Sequence, residues 1–141
     1  MNPELVKCIS LLKSSNLTLV LKKGDICLKS TLRGVKTLLD LLEEYGSLEG
    51  FFAADKVVGK AAAYIYSLLK IKELYAVTIS DGACEVLEKY GITYFYENRV
   101  YIIRNRTNTD SCPMEKATSE AKNPEEAVGL IRKTLIKLGN K

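Results

Sequence analysis

The sequence of 141 residues contains no histidine. Histidine is the usual general base near neutral pH and the commonest zinc ligand, so its absence excludes Ser-His and Cys-His catalytic pairs. The four cysteines are far apart and form no Cys-x-x-Cys pair; they are Cys8, Cys27, Cys84 and Cys112. Such dispersed cysteines argue against zinc, and the sequence predicts neither a metal nor another cofactor.

Long apolar runs are also missing. No stretch approaches the roughly 20 residues needed to cross a bilayer. The amino terminus, MNPELVKC, lacks the basic and then apolar layout of a signal peptide. We therefore expect a cytoplasmic protein with no membrane partner and with reduced cysteines. The 21 basic and 17 acidic residues are scattered, which argues against nucleic acid as a partner.

What the sequence does contain is the composition of a globular protein, 47% hydrophobic and 27% charged. The length suits one domain, residues 1–141, with one core. The apolar patterns predict the element order α-β-β-α-β-α-β-α-β-β-α. Helices that alternate with buried strands favour a three-layer α/β/α sandwich around a mixed sheet. Ligands of such sheets bind at the carboxyl ends of the strands.

Two element boundaries bear directly on the site. The apolar run 50–54 is predicted to be a buried strand, with Asp55 at the hinge to the following helix. Glu97 and Asn98 are predicted to form a turn, so that residues 99–104 return as the second strand of a hairpin.

The last helix is expected to open at Asn123-Pro124 and to run to about residue 138.

The stretch SCPMEKA, residues 111–117, offers the most reactive group of side chains. Pro113 suits the first position of a helix, and Glu115 stands where a capping box reaches back to the N–H of the cap residue. Cysteine is not a favoured cap, however, and a helix start stabilises a thiolate. Two interpretations stay open: a structural helix start, or a catalytic pair of Cys112 and Glu115.

The stretch DKVVGKAAA, residues 55–63, is the second candidate. Asp55, Gly59 and Lys60 can bind a polar or phosphorylated ligand at a helix start. The stretch lacks the upstream glycine of a P-loop, and Ala61 stands where Ser or Thr would hold magnesium. In the alternative interpretation Asp55 caps the helix, Gly59 permits close packing on the sheet, and Lys60 is solvated.

Aromatic and basic residues alternate between residues 94 and 106, which would suit single-stranded nucleic acid. A half-exposed hairpin produces the same alternation, and that interpretation is favoured. The polar segment NRTNT, residues 105–109, follows it. Its amide and hydroxyl groups, beginning with Asn105, can line a pocket or form an ordinary polar loop.

Taken together, DKVVGKAAA, SCPMEKA and GVKTLLDLLEE resemble the signatures of domain of unknown function 1893, a bacterial and archaeal family. The resemblance covers nearly the whole chain and implies a cytidine deaminase-like fold. Zinc deaminases carry [His/Cys]-x-Glu and Pro-Cys-x-x-Cys motifs at two helix starts. This chain has GVK at 34–36 and DKVV at 55–58 in those places. Zinc-dependent deamination is therefore not expected.

The leading hypothesis is a zinc-free deaminase-like domain that binds a small polar ligand, with nucleotides among the candidates. Asp55 would accept hydrogen bonds from the ligand, and Lys60 would offset its negative charge. Cys112 and Glu115 would form the opposite wall. The second hypothesis is an enzyme with Cys112 as nucleophile. The third is a structural homodimer without a ligand. Whether the protein is an enzyme stays open.

Overall fold

Five strands form one mixed sheet in the computed structural model, which describes residues 1–104 and 112–139. They are β1 (Leu19–Lys23), β2 (Ile26–Ser30), β3 (Phe52–Val58), β4 (Glu73–Ser80) and β5 (Thr93–Val100). The order across the sheet is β2-β1-β3-β4-β5. β1 is antiparallel to both of its neighbours, whereas β3, β4 and β5 run parallel. The carboxyl ends of these three strands therefore lie at one edge.

Helices cover both faces of this sheet. They are α1 (Pro3–Ser14), α2 (Lys36–Tyr45), α3 (Lys60–Leu69), α4 (Asp81–Lys89), α5 (Pro113–Thr118) and α6 (Pro124–Lys137). On one face α1 packs against β1, β3 and β4, and on the other α3 packs against α2, α4, α5 and α6. The predicted α/β class and three-layer arrangement are confirmed. No helix within the described ranges is long and apolar enough to cross a membrane.

Each face of the sheet has its own hydrophobic core. Leu5, Cys8 and Leu12 recur at helical spacing, so α1 buries one apolar stripe against Phe52 and Tyr75. The larger core surrounds α3, in which every residue from 61 to 66 is buried. The run of three alanines at its start lets this helix lie close to the sheet while other helices cover it.

The predicted hinge at Asp55 is wrong. β3 continues to Val58, and Asp55 lies inside it, paired with Leu19 of β1 and Ala76 of β4. The helix begins only at Lys60. An aspartate after an apolar run is more typical of a helix cap than of a strand, and pairing with both neighbouring strands overrode this local preference.

The predicted turn at Glu97 and Asn98 is also wrong. β5 runs without interruption to Val100 and stays in parallel register with β4, with Asn98 beside Thr78. The predicted order therefore held one strand too many after β5, and it omitted the short helix α5. The order is α-β-β-α-β-α-β-α-β-α-α across the described residues.

Candidate functional site

The carboxyl edge of β4 leads directly into α4. Ser80 ends the strand, and its hydroxyl oxygen accepts the N–H of Ala83 at 3.1 Å. Asp81 is the first residue of the helix and accepts a hydrogen bond from Arg99 of β5 at 2.7 Å. That bond raises the pKa of the Arg99 guanidinium. The start of α4 is therefore capped by the chain itself, and an ion pair ties it to β5.

The start of α3 is completed by Glu115, a residue of α5. Glu115 is only 7% exposed, and its Oε1 accepts the backbone N–H of Lys60 at 2.5 Å. Its Oε2 accepts the N–H of Ile103 at 3.4 Å. Gly59 occupies the N-cap position of α3 and has no side chain that can cap it. A carboxylate from another helix therefore supplies the acceptor and the negative charge that favour a helix start.

Gly59 is required by the space that Glu115 occupies. A Cβ on Gly59 would lie 2.5 Å from Oε1 of Glu115 and 3.3 Å from Cγ1 of Ile103. The backbone of Gly59 is ordinary, with φ of −96° and ψ of −178°. The absence of a side chain, and not conformational freedom, is what this position needs.

The capping box predicted within α5 is wrong. Cys112 does occupy the N-cap position, but its side chain makes no capping hydrogen bond. The N–H of Cys112 donates to the carbonyl oxygen of Ile103 at 2.8 Å, and the Glu115 carboxylate reaches Lys60 of α3 and Ile103 instead. Glu115 therefore joins α5 to α3 rather than closing its own helix start.

The side chain of Lys60 crosses from α3 towards the end of α5. Its Nζ donates to the carbonyl oxygen of Ser119 at 3.0 Å. A Cβ added at Gly82 would lie 3.3 Å from the Cδ of Lys60, so the lysine side chain passes close to the first turn of α4. Lys60 is thereby held where the three helices meet.

Two solvent-open cavities adjoin Lys60. The lysine cavity, of about 320 Å³, is lined by Lys60, Lys89, Lys122, Glu85, Tyr64 and Ala121, among others. The acidic cavity, of about 200 Å³, is lined by Lys60, Asp81, Glu85, Glu115, Tyr101 and Ile102, among others. The two cavities share Lys60 and Glu85. They form one groove that starts at the strand ends and continues along α3 and α4.

The floor of the lysine cavity is fixed by Tyr64. This side chain is buried, and its hydroxyl donates to the carbonyl oxygen of Ala121 at 2.9 Å. Burial raises the pKa of Tyr64, so the hydroxyl stays a neutral donor. The bond ties the segment between α5 and α6, which carries Lys122, to α3.

Asp55 lines neither cavity. Its Oδ2 accepts the hydroxyl of Tyr66 at 2.6 Å, and its Oδ1 accepts the N–H of Val57 at 3.3 Å. Burial raises the pKa of Asp55 to about 6, although both hydrogen bonds oppose that shift. Burial also raises the pKa of Tyr66, which is inaccessible to solvent. Asp55 therefore faces the middle of α3 and not its start.

The structure thus brings together three of the predicted site residues: Gly59, Lys60 and Glu115. Asp55 lies apart from them, and the half-buried Cys112 lines neither of the two cavities. Asn105 lies outside the described residues. Because α3 begins at Lys60, the residues at its start are GKAA, 59–62, which like DKVV contain no cysteine.

Sequence reasoning missed most of the charged lining of the groove. Asp81, Glu85 and Lys89 recur every fourth residue on α4, and that spacing was the available signal. Lys122 gave no signal, because a lone lysine between two helices is ordinary. Within residues 1–104 and 112–139, no three acidic or cysteine side chains are close enough to hold a metal ion.

Comparison with known proteins identifies the family. A family model described as a domain of unknown function, DUF1893, matches residues 7–135. The chain belongs to this family. The crystal structure of a DUF1893 family protein from Thermotoga maritima is similar to it, with a TM-score of 0.87 and 26% identity. That likeness covers 94% of this chain and 91% of the other. No curated protein matches the chain.

Membership in DUF1893 confirms the resemblance read from DKVVGKAAA and SCPMEKA. The function is inferred from the groove of this chain.

Proposed function

We propose that this DUF1893 domain binds a small, polar, negatively charged ligand in the groove formed by the lysine and acidic cavities. The observation that carries the proposal is the position of Lys60, which lies at the carboxyl edge of the sheet and lines both cavities. At about 320 Å³, the larger cavity falls within the roughly 300–1,000 Å³ of small-molecule sites.

The charge of the lysine cavity supports an anionic ligand. Lys60, Lys89 and Lys122 face a single carboxylate there, that of Glu85. Lys122 has no hydrogen bond or ion pair with the described residues. The Nζ of Lys89 lies 5.5 Å from the centre of the aromatic ring of Tyr90. This positive charge is therefore left for a ligand.

The helix starts do not compete for that ligand. Glu115 already occupies the start of α3, and Ser80 caps the start of α4. Lysine side chains, rather than backbone N–H groups, are what the groove offers to an anion. The proposed role of Lys60, to offset negative charge, stays as the sequence suggested.

Calorimetric titration with matched nucleosides and nucleotides tests the proposal, because each pair differs only in its phosphate. We expect nucleotides to bind and the corresponding nucleosides to bind at least about tenfold more weakly. Lys60→Met should weaken nucleotide binding, while Lys133→Met, at an exposed position of α6, should leave it unchanged. The melting temperature of each variant checks that it is folded.

Two results would overturn the proposal. One is the absence of binding by both nucleotides and inorganic phosphate at millimolar concentration. The other is binding that Lys60→Met leaves intact in a folded protein. Other features stay predictions: a single domain over residues 1–141, a cytoplasmic location, a cytidine deaminase-like fold and a homodimer. The catalytic role of Cys112 also stays a prediction.

A further inference from the structure

We infer that the ligand is dipolar: it carries an anionic group for the lysine cavity and an ammonium or amino group for the acidic cavity. This inference rests on the proposed function, because it assigns the two ends of a ligand in the same groove. It follows from the opposite charges of two cavities that share Lys60 and Glu85.

The charges lie in order along one face of α4. Asp81, Glu85 and Lys89 are spaced by four residues, which places them on one side of the helix. With a rise of 1.5 Å per residue, the first and last of them start about 12 Å apart along the helix axis. The groove therefore changes from negative to positive over a distance that a small molecule can span.

The acceptors in the acidic cavity are not all committed to the protein. Both oxygens of Glu115 already accept backbone N–H groups. Asp81 uses Oδ1 for Arg99, and its second oxygen has no hydrogen-bond partner among the described residues. The side chain of Glu85 is exposed, and it makes neither a hydrogen bond nor an ion pair with any of the described residues. Glu85 and one oxygen of Asp81 are thus available to accept from a ligand.

The obvious alternative is that Glu85 simply neutralises Lys89. A glutamate four residues before a lysine is the favoured arrangement for an ion pair on a helix. The structure shows no such pair in the described region, and Lys89 lies over the ring of Tyr90. Both residues line the lysine cavity, but only Glu85 extends to the acidic cavity as well, and no ion pair joins the two side chains.

Alkyl phosphates and ω-aminoalkyl phosphates provide a direct test, because each pair shares the phosphate and differs in the terminal ammonium. Calorimetric titration of the full chain with two-, four-, six- and eight-carbon members measures both contributions. We expect the amino compound to bind about tenfold more tightly than its alkyl partner at one of the longer chain lengths. The two-carbon pair should show little difference, since it cannot reach both cavities.

Variants then assign the two ends. Glu85→Gln should abolish the preference for the amino compounds, while alkyl phosphates bind at least as well as before. Lys122→Gln should weaken both series equally and preserve the preference. Glu44→Gln, on the exposed face of α2, and Lys133→Gln, on α6, are the matched controls and should change neither. All four replaced side chains are exposed, so melting temperatures should stay within a few degrees.

The possible failures are distinguishable. If alkyl and aminoalkyl phosphates bind equally at every length, the dipolar ligand is refuted and the anion site stands. The same holds if Glu85→Gln keeps the preference in full. If no phosphate in either series binds, the proposed function fails and the inference fails with it.

Discussion

Replacing Asp55 by asparagine should stabilise the protein at neutral pH and have much less effect at pH 4. Asp55 lies in the middle strand β3, where its carboxylate faces the buried Tyr66 hydroxyl of α3. Asparagine has nearly the same shape, its single oxygen can still accept the Tyr66 hydroxyl, and it never carries a charge. Its amide nitrogen cannot accept the N–H of Val57, so the substitution removes the charge together with one long hydrogen bond of 3.3 Å.

The magnitude follows from the shifted pKa. Burial raises the pKa of Asp55 from 3.8 to about 6, so the folded state binds this proton more tightly than the unfolded state does. The stability that the folded state gains from binding this proton is complete below about pH 4 and is lost as the pH rises through 6. Each pKa unit corresponds to about 1.4 kcal/mol, which gives a total loss of about 3 kcal/mol. About 2.5 kcal/mol of it falls between pH 4 and pH 7.5, because the unfolded carboxyl group is already partly ionised at pH 4.

Urea unfolding of both proteins at pH 4 and at pH 7.5 measures this effect. The difference in unfolding free energy between Asp55→Asn and wild type should become about 2.5 kcal/mol more favourable at the higher pH, and comparison at each pH cancels the other titrating groups. Asp25→Asn, in the exposed turn between β1 and β2, is the control for losing one carboxylate. The difference in unfolding free energy between Asp25→Asn and wild type should not become more favourable at the higher pH.

A difference for Asp55→Asn that is equal at the two pH values would refute the reasoning. So would destabilisation that increases towards neutral pH, since it would mean that the carboxylate is stabilised by its surroundings. Tyr66→Phe provides a second check. Because it removes the donor to Oδ2, it should cost more at pH 7.5, where the carboxylate is charged, than at pH 4.

Two further predictions concern the neighbouring elements. Gly59→Ala should displace the Glu115 carboxylate and Glu115→Ala should remove it, so each should lower the free energy of unfolding by about 1–2 kcal/mol, the usual cost of a lost helix cap. The double variant should lose much less than the sum, because the Cβ at position 59 no longer meets a carboxylate. Additive losses in urea unfolding would contradict this. In the native protein iodoacetamide should label the half-buried Cys27 and Cys112 before the buried Cys8 and Cys84. Burial also raises the pKa of Cys8, to about 11. A Cys112 no faster than Cys27 at neutral pH would refute a nucleophilic role.

Local sequence rules predicted the helix starts whose partners are near in the chain. At Asn2 and at Asn123 the side chain accepts a backbone N–H two or three residues on, as the Asn-Pro pattern predicts. At Cys112 the same pattern placed the helix start correctly and gave Glu115 the wrong partner. The true partner, Lys60, is 55 residues away in the sequence, and capping rules describe only partners within a few residues.

The same limit explains Asp55. Its partner Tyr66 is eleven residues on, across the boundary between β3 and α3. In the sequence Tyr66 belongs to the apolar face of α3, and nothing marks its hydroxyl as the donor for a carboxylate in the sheet. The family could be predicted nevertheless, because it depends on short contiguous stretches, which the family model matches over residues 7–135.

The contact between Gly59 and Glu115 also determines the shape of the groove. Glu115 fixes α5 against α3, and α5 in turn carries the Ser119 carbonyl that holds the Nζ of Lys60. Loss of the carboxylate should release Lys60 from this position without removing its charge. Glu115→Ala should therefore weaken the binding of alkyl phosphates, which Glu85→Gln should leave intact. The alkyl series is the proper comparison, because Glu115 itself lines the acidic cavity and its loss also removes a charge near the proposed ammonium site. For alkyl phosphates the first change acts on the position of a lysine, so the two variants separate the architecture of the groove from its chemistry.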